Sequence, residues 1–198
     1  MLSVGIDRLD AILLTHQHND HIIGLDDVRP FNFRNRTDMQ VYCTEAVEKE
    51  LRKRFAYIFA TQNRYPGAPK VNLNRIQKAA PFEAAGLSFT PIEALHGRMP
   101  VLGYRLQNFA YLTDVRTITS TEMAKLEGLD TLVLSALHHR LHHAHLNLEQ
   151  ALALIDQLCP RQAFLTHLSH SMGLHREVEK TLPKNVAVGY DGLTFTLY

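Results

Sequence analysis

Six consecutive residues, His16-Gln17-His18-Asn19-Asp20-His21, constrain this chain more than any other feature of it. They follow an apolar run, residues 9–15 (LDAILLT), that reads as a buried strand ending at His16. Metal-competent side chains therefore sit on a tight turn at the C-terminal end of a strand, where α/β proteins commonly place their sites. Neutral imidazole and carboxylate are the donors that a Zn²⁺-like cation selects. A turn points neighbouring side chains in different directions, so His16 and His18 can serve one ion while Asp20 and His21 serve another. Histidine is abundant throughout, with 12 in 198 residues, grouped at 16–21, 96, 138–145 and 167–175.

The rest of the chain alternates short apolar runs with amphipathic stretches, which predicts an α/β fold. Residues 41–43 read as a strand, and Thr44 as the N-cap of a helix running to about Phe59 with Glu45 and Glu48 in its first turn. The Asn, Pro and Gly residues of 60–74 predict a long surface loop, of the length that often serves as a lid. Strands are expected over 87–95, 101–106, 109–113, 131–137 and 162–166, with two closing strands over 186–198. Helices are expected over 119–126, after an Asn147 cap with Ala151, Leu154, Ile155 and Leu158 on the apolar face, and over 176–182. Pro160 ends the second of these. No composition break suggests a second domain.

H-x-H-x-D-H after a hydrophobic strand resembles the hallmark of the metallo-β-lactamase fold superfamily, and later segments supply matching motifs in order. His96 (IEALHGRMPVLGYRL) is similar to the isolated third histidine, Asp114 (FAYLTDV) to the aspartate that bridges two metals, and His167 (AFLTHLSH) to the last ligand. The resemblance implies an αββα sandwich of two mixed β-sheets flanked by helices. It also implies two divalent ions, Zn or Mn: His16, His18 and His96 on the first, Asp20, His21 and His167 on the second, and Asp114 between them. The segments LLTHQHNDHIIGLDDVRPF, HGRMPVLGYR, YLTDV, HHAHLNLEQAL and LTHLSHSMG resemble the cyclic-phosphodiesterase branch in particular. In that branch a histidine ahead of an N-L-E-Q-A-L helix lies near the metals, which makes His145 the expected proton donor or phosphate contact. Asp20 is expected to orient the nucleophile as well as to ligate. His138, His139, His142 and His143 read as loop histidines, His170 is better placed than His175 to steer a ligating imidazole, and Arg98 and Arg105 read as surface charge.

Only fifteen residues precede His16, whereas the family places a pair of strands and a glycine-rich turn there, so an N-terminally truncated protein is expected. Loss of those strands would bare a sheet edge, which a homodimer could cover.

The implied activity is metal-dependent hydrolysis of a small phosphodiester, cyclic diesters included. Two ions about 3.5–4 Å apart make water nucleophilic near neutral pH and absorb charge on phosphoryl oxygens. An RNase Z-like endonuclease is the first alternative. Seventeen residues separate His96 from Asp114, too few for an RNA-gripping arm, and the net charge of +1 offers no field for a large nucleic acid. Thioester hydrolysis and a catalytically impaired metal-binding remnant are the others. No run reaches the roughly 18 apolar residues of a membrane span. Asp7, Arg8 and Asp10 interrupt any secretory leader, and the two cysteines, Cys43 and Cys159, read as free thiols. A cytoplasmic location is therefore expected.

Overall fold

The computed structural model describes residues 4–197, and the chain divides into two compact units, Met1–Leu87 and Ser88–Tyr198. In the first, three parallel strands pair in the order β1 (Ala11–Leu13), β2 (Met39–Cys43), β3 (Val71–Arg75). Between β1 and β2 run α1 (Asn19–Ile22), a 3-10 stretch over Ile23–Val28, and α2 (Arg29–Asn35) with Pro30 in its first turn. Helix α3 (Glu45–Arg54) follows β2, and the short β4 (Phe82–Ala84) closes the unit.

Periodicity explains this packing. Met39, Val41 and Cys43 alternate inward along β2, and Val47 and Leu51, four apart on α3, meet them in a core that also holds Leu14, Ile22, Leu25 and Val28. Thr44 caps α3 through its side-chain oxygen, as its position predicts. The helix stops at Arg54, earlier than expected, and Phe55 and Ile58 reach the core from turns. Buried Glu48 accepts from Arg52 at 2.8 Å and also from Arg75, and the Arg75 guanidinium holds its carboxyl below the usual range.

In the second unit the strands follow the order β11 (Val186–Val188), β10 (Gln162–Thr166), β9 (Thr131–Ser135), β7 (Phe109–Leu112), β6 (Met99–Leu106), β5 (Leu87–His96), with β8 (Thr117–Ile118) on β5. β5, β6 and β7 are antiparallel, while β7, β9, β10 and β11 are parallel. His96 pairs with Met99 across a two-residue turn whose first member, Gly97, has φ +62°, the conformation a type II′ hairpin assigns to glycine. Gly103 is required for a different reason: a Cβ there would stand 2.8 Å from the Tyr111 carbonyl and 2.8 Å from Leu112.

Helix α4 (Ser120–Ala124) is capped by Thr119, and α5 (Leu148–Leu158) buries Leu148, Ala151, Ile155 and Leu158 against β9 and its neighbours, with α6 (His175–Glu179) after β10. Leu154 is only partly buried. Asn147 forms a reciprocal capping box with Gln150, and its Nδ2 donates to the His139 carbonyl at 3.0 Å. Asn147→Ala should therefore cost about 2 kcal/mol, the upper end for a lost cap, read as a lower urea midpoint at unchanged slope.

Two expectations are corrected here. The 60–74 loop ends at Lys70, because Val71 and Leu73 pack on the first unit's core while their backbone pairs with β2. The chain beyond Val188 forms no second closing strand among the described residues; Gly189 and the Asp191-Gly192 turn interrupt it, and Phe195 instead stacks on Phe164 at 5.0 Å. Tyr198, the end of that predicted strand, lies outside the described residues.

Candidate metal centre

The first unit holds His16, His18, Asp20 and His21 together. The chain leaves β1 at Leu13, and Leu14 N–H still donates to the Tyr42 carbonyl at 2.9 Å, which fixes where His16 begins its turn. His16 is fully buried. Its Nδ1 lies 3.1 Å from Thr15 Oγ1 and its Nε2 3.1 Å from His18 Nδ1. The His21 ring centre is 4.2 Å from that of His16, and His21 Nε2 is 3.3 Å from the Asp20 carboxylate. His18 stands at the N-cap position of the short α1 without a side-chain capping bond, and the first helical residue, Asn19, accepts a hydrogen bond from Arg54 at the end of α3. The motif is thus tied to the unit's longest helix.

The second unit gathers His96, Asp114, His145 and His167. His96 ends β5, Asp114 follows β7 and His167 follows β10, so the latter two leave the C-terminal ends of parallel strands. Asp114 is 2% exposed; its Oδ1 stands 2.9 Å from His167 Nε2 and 3.9 Å from His145 Nδ1, and accepts from Thr113 Oγ1 at 3.2 Å. Asp114 and His167 have φ of +56° and +55°. For a residue with a side chain that left-handed conformation costs about 1–2 kcal/mol, and such strain concentrates where geometry serves function.

The donor chemistry fits a divalent cation. His96, Asp114 and His145 each offer one ligand atom, all within 4.8 Å of one another. His96 Nδ1 lies 2.8 Å from the Ala144 carbonyl, which can only accept. That nitrogen carries the proton, leaving the Nε2 lone pair for a metal. His145 Nδ1 is buried and has no hydrogen-bond partner. His145 thus lies as close to Asp114 and His96 as a ligand would.

Burial pulls the His145 imidazole down to about 4, while Asp114 acts in the opposite direction. The folded state thus favours neutral His145 and the unfolded state takes up its proton first, near the ordinary value of 6.5. Its contribution is intact above that value and is lost as pH falls from 6.5 towards 4. The shift corresponds to about 3 kcal/mol. In metal-free protein, the urea midpoint of His145→Gln should fall less than that of the unsubstituted chain between pH 7 and pH 4; parallel curves would refute the effect.

The remaining histidines divide by what they touch. His139 Nε2 donates to the Met172 carbonyl at 2.9 Å, and His142 Nδ1 accepts from Ala144 N–H at 3.2 Å, so both shape the loop that carries His145. The His142 ring also lies tilted against those of His143 and His145, at 4.4 and 5.0 Å between centres. His138 keeps a buried Nδ1 without a partner beside His142. His170 is exposed on a short 3-10 turn, and His175 faces Glu179 at 3.5 Å. Arg105 spends its guanidinium on the carbonyls of Gln107, Lys125 and Glu127, while Arg98 is exposed in the hairpin turn.

Sequence reading missed the groups that orient these candidate ligands. Thr15 and Thr113 each stand immediately before a predicted ligand and hydrogen-bond to it. The signal was present as a leucine–threonine pair ahead of His16, Asp114 and His167 alike.

The chain matches the model of the beta-lactamase superfamily domain over residues 3–168. It is 39% identical over 193 residues to an octanoyltransferase of Porphyromonas gingivalis (strain ATCC BAA-308 / W83), covering 97% of this chain and 39% of that one. The chain therefore spans about two-fifths of the length of that curated relative. Among solved structures, a diphosphatase of the PhnP family superposes with a TM-score of 0.89 at 34% identity, covering 100% of this chain and 75% of that one. Human tRNase Z, short form, superposes with a TM-score of 0.67 at 15% identity, over 96% of this chain and 79% of that one, a likeness of fold alone. No helix among the described residues is long and apolar enough to cross a membrane.

Proposed function

This chain belongs to the beta-lactamase superfamily, whose fold binds divalent metals and hydrolyses its substrates, and we propose that it cleaves a small phosphodiester at a dinuclear centre. The ligand set follows the family pattern: His16, His18 and His96 for one ion, Asp20, His21 and His167 for the other, and Asp114 for both. The observation that carries the reading is the buried Asp114 carboxylate, held in a left-handed turn among His96, His145 and His167. When bound, two Zn²⁺ or Mn²⁺ ions supply Lewis acidity and a water nucleophile deprotonated near neutral pH.

The protein's own residues do the rest. Ala144 fixes the His96 tautomer through its carbonyl, and the threonines before His16 and Asp114 restrain those side chains. His145 is the group available to pass a proton to the leaving oxygen. Likeness to a PhnP-family diphosphatase over the full chain favours attack at phosphorus. Between His96 and Asp114 the chain consists of two tight hairpins, without an arm for gripping RNA, which disfavours an RNase Z-like substrate.

A second reading, hydrolysis of a medium-chain acyl thioester, draws on the octanoyltransferase relative. Purified protein loaded with Mn²⁺ or Zn²⁺ should hydrolyse bis-p-nitrophenyl phosphate and leave an octanoyl thioester intact. Turnover of the thioester alone would replace the first reading with the second. Metal uptake without turnover of either would leave a non-catalytic metal binder.

A further inference from the structure

A cavity of about 410 Å³ opens in the first unit, lined by Asp38, Arg52, Phe59, Arg64, Lys70 and Asn72, among others. Asp38 precedes β2, while Lys70 and Asn72 flank the start of β3. The cavity therefore lies at the N-terminal ends of these parallel strands, whereas His16 follows the C-terminal end of β1. It is separate from the metal-ligand turn.

Three cations face one carboxylate around it. Arg52 is held in place: its Nε donates to Glu48 at 2.8 Å and its guanidinium carbon stands 5.0 Å from the centre of the Phe59 ring. Arg64 donates from Nη2 to the Pro69 carbonyl, which pins its guanidinium across the loop. Its Nε is nonetheless buried with no hydrogen-bond partner. The Arg64 charge is thus incompletely matched, and an anion in the cavity that this side chain lines would compensate it. Lys70 is exposed at the rim.

We infer that this cavity is an oxyanion site that takes a phosphate group, with the 60–70 loop as its wall. The remaining guanidinium N–H groups can donate to the oxygens of such a group, and Arg52 and Lys70 supply further charge. Asp38 sets a limit, favouring an anion of small size that can keep to the arginine side. No part of this rests on the activity proposed for the metal centre.

The test is a titration of the isotope-labelled full chain with inorganic phosphate, at ionic strength held constant with chloride, following the amides of residues 58–73. His18→Ala serves as host, so that phosphate at the metal ligands does not contribute. Saturable shifts confined to this segment are expected, and Arg64→Gln should weaken the midpoint about tenfold, the size of one charge-assisted hydrogen bond. Absence of saturable shifts, equal shifts with chloride alone, or an unchanged midpoint in Arg64→Gln would overturn the assignment. Should Arg64→Gln lose its native amide dispersion, Lys70→Gln decides instead, since an exposed rim lysine is dispensable for folding; weaker binding supports the site and an unchanged midpoint overturns it.

Discussion

Asp114→Asn should lower hydrolysis of bis-p-nitrophenyl phosphate by about 10³-fold, the size of effect expected when a preorganised charge is removed from a site that excludes water. Asparagine keeps the side chain's shape and can still accept from Thr113 Oγ1, as Asp114 does at 3.2 Å. It is also one of the few residues that tolerate the φ of +56° found here. The backbone therefore stays as it is and only the charge disappears. An amide is a poor metal ligand, so bound metal should fall together with activity.

Stability provides an independent reading of the same change. At a metal concentration 1,000 times the dissociation constant, binding should stabilise the unsubstituted protein by about 4 kcal/mol. Asp114→Asn should lose most of that increment while its metal-free melting temperature stays close to that of the unsubstituted protein. Asp114→Val makes the contrast, because a β-branched residue at this φ should also destabilise the metal-free fold. Activity within tenfold of the unsubstituted protein, or an intact metal increment in Asp114→Asn, would remove Asp114 from the centre.

The turns that carry the proposed ligands were legible in the sequence because each is announced by an apolar run that stops at a polar, metal-competent residue: LLTH, FAYLTD and AFLTH. A buried strand must end where its side chains stop being apolar, so ligand and strand end coincide. Strand β3 was hidden for the converse reason. In VNLNR the asparagines and the preceding Pro and Gly residues read as loop, and only pairing with β2 and packing of Val71 and Leu73 on the first unit's core make it a strand. The left-handed turns at Asp114 and His167 were equally silent, since neither residue is glycine. Loop 138–147 exposed its histidines but not their division of labour. His139 bonds to the Met172 carbonyl, a contact that depends on where the chain returns, whereas His142 accepts from Ala144 N–H only two residues on.

His145→Gln separates a proton donor from a metal ligand, and here the choice of substrate decides. A p-nitrophenolate group leaves as a stable anion, so bis-p-nitrophenyl phosphate needs little protonation at its leaving oxygen. A diester of an aliphatic alcohol needs it acutely. If His145 supplies that proton, the variant should lose about 10²–10⁴-fold on the alkyl diester, the range for general acid catalysis, and only a few-fold on the nitrophenyl one. Bound metal should not change.

Burial keeps the imidazole neutral at pH 7 in the free protein. A phosphodiester anion arriving beside it acts in the same direction as Asp114, raising the affinity of the ring for a proton as the reaction needs it. The unsubstituted enzyme should accordingly show a larger preference for the nitrophenyl ester as pH rises, and the variant should show that preference at every pH. Were His145 a ligand, as its nearness to His96 and Asp114 also permits, its replacement would remove about one ion per chain and depress both substrates equally. That outcome would transfer the proton-donor role to another group.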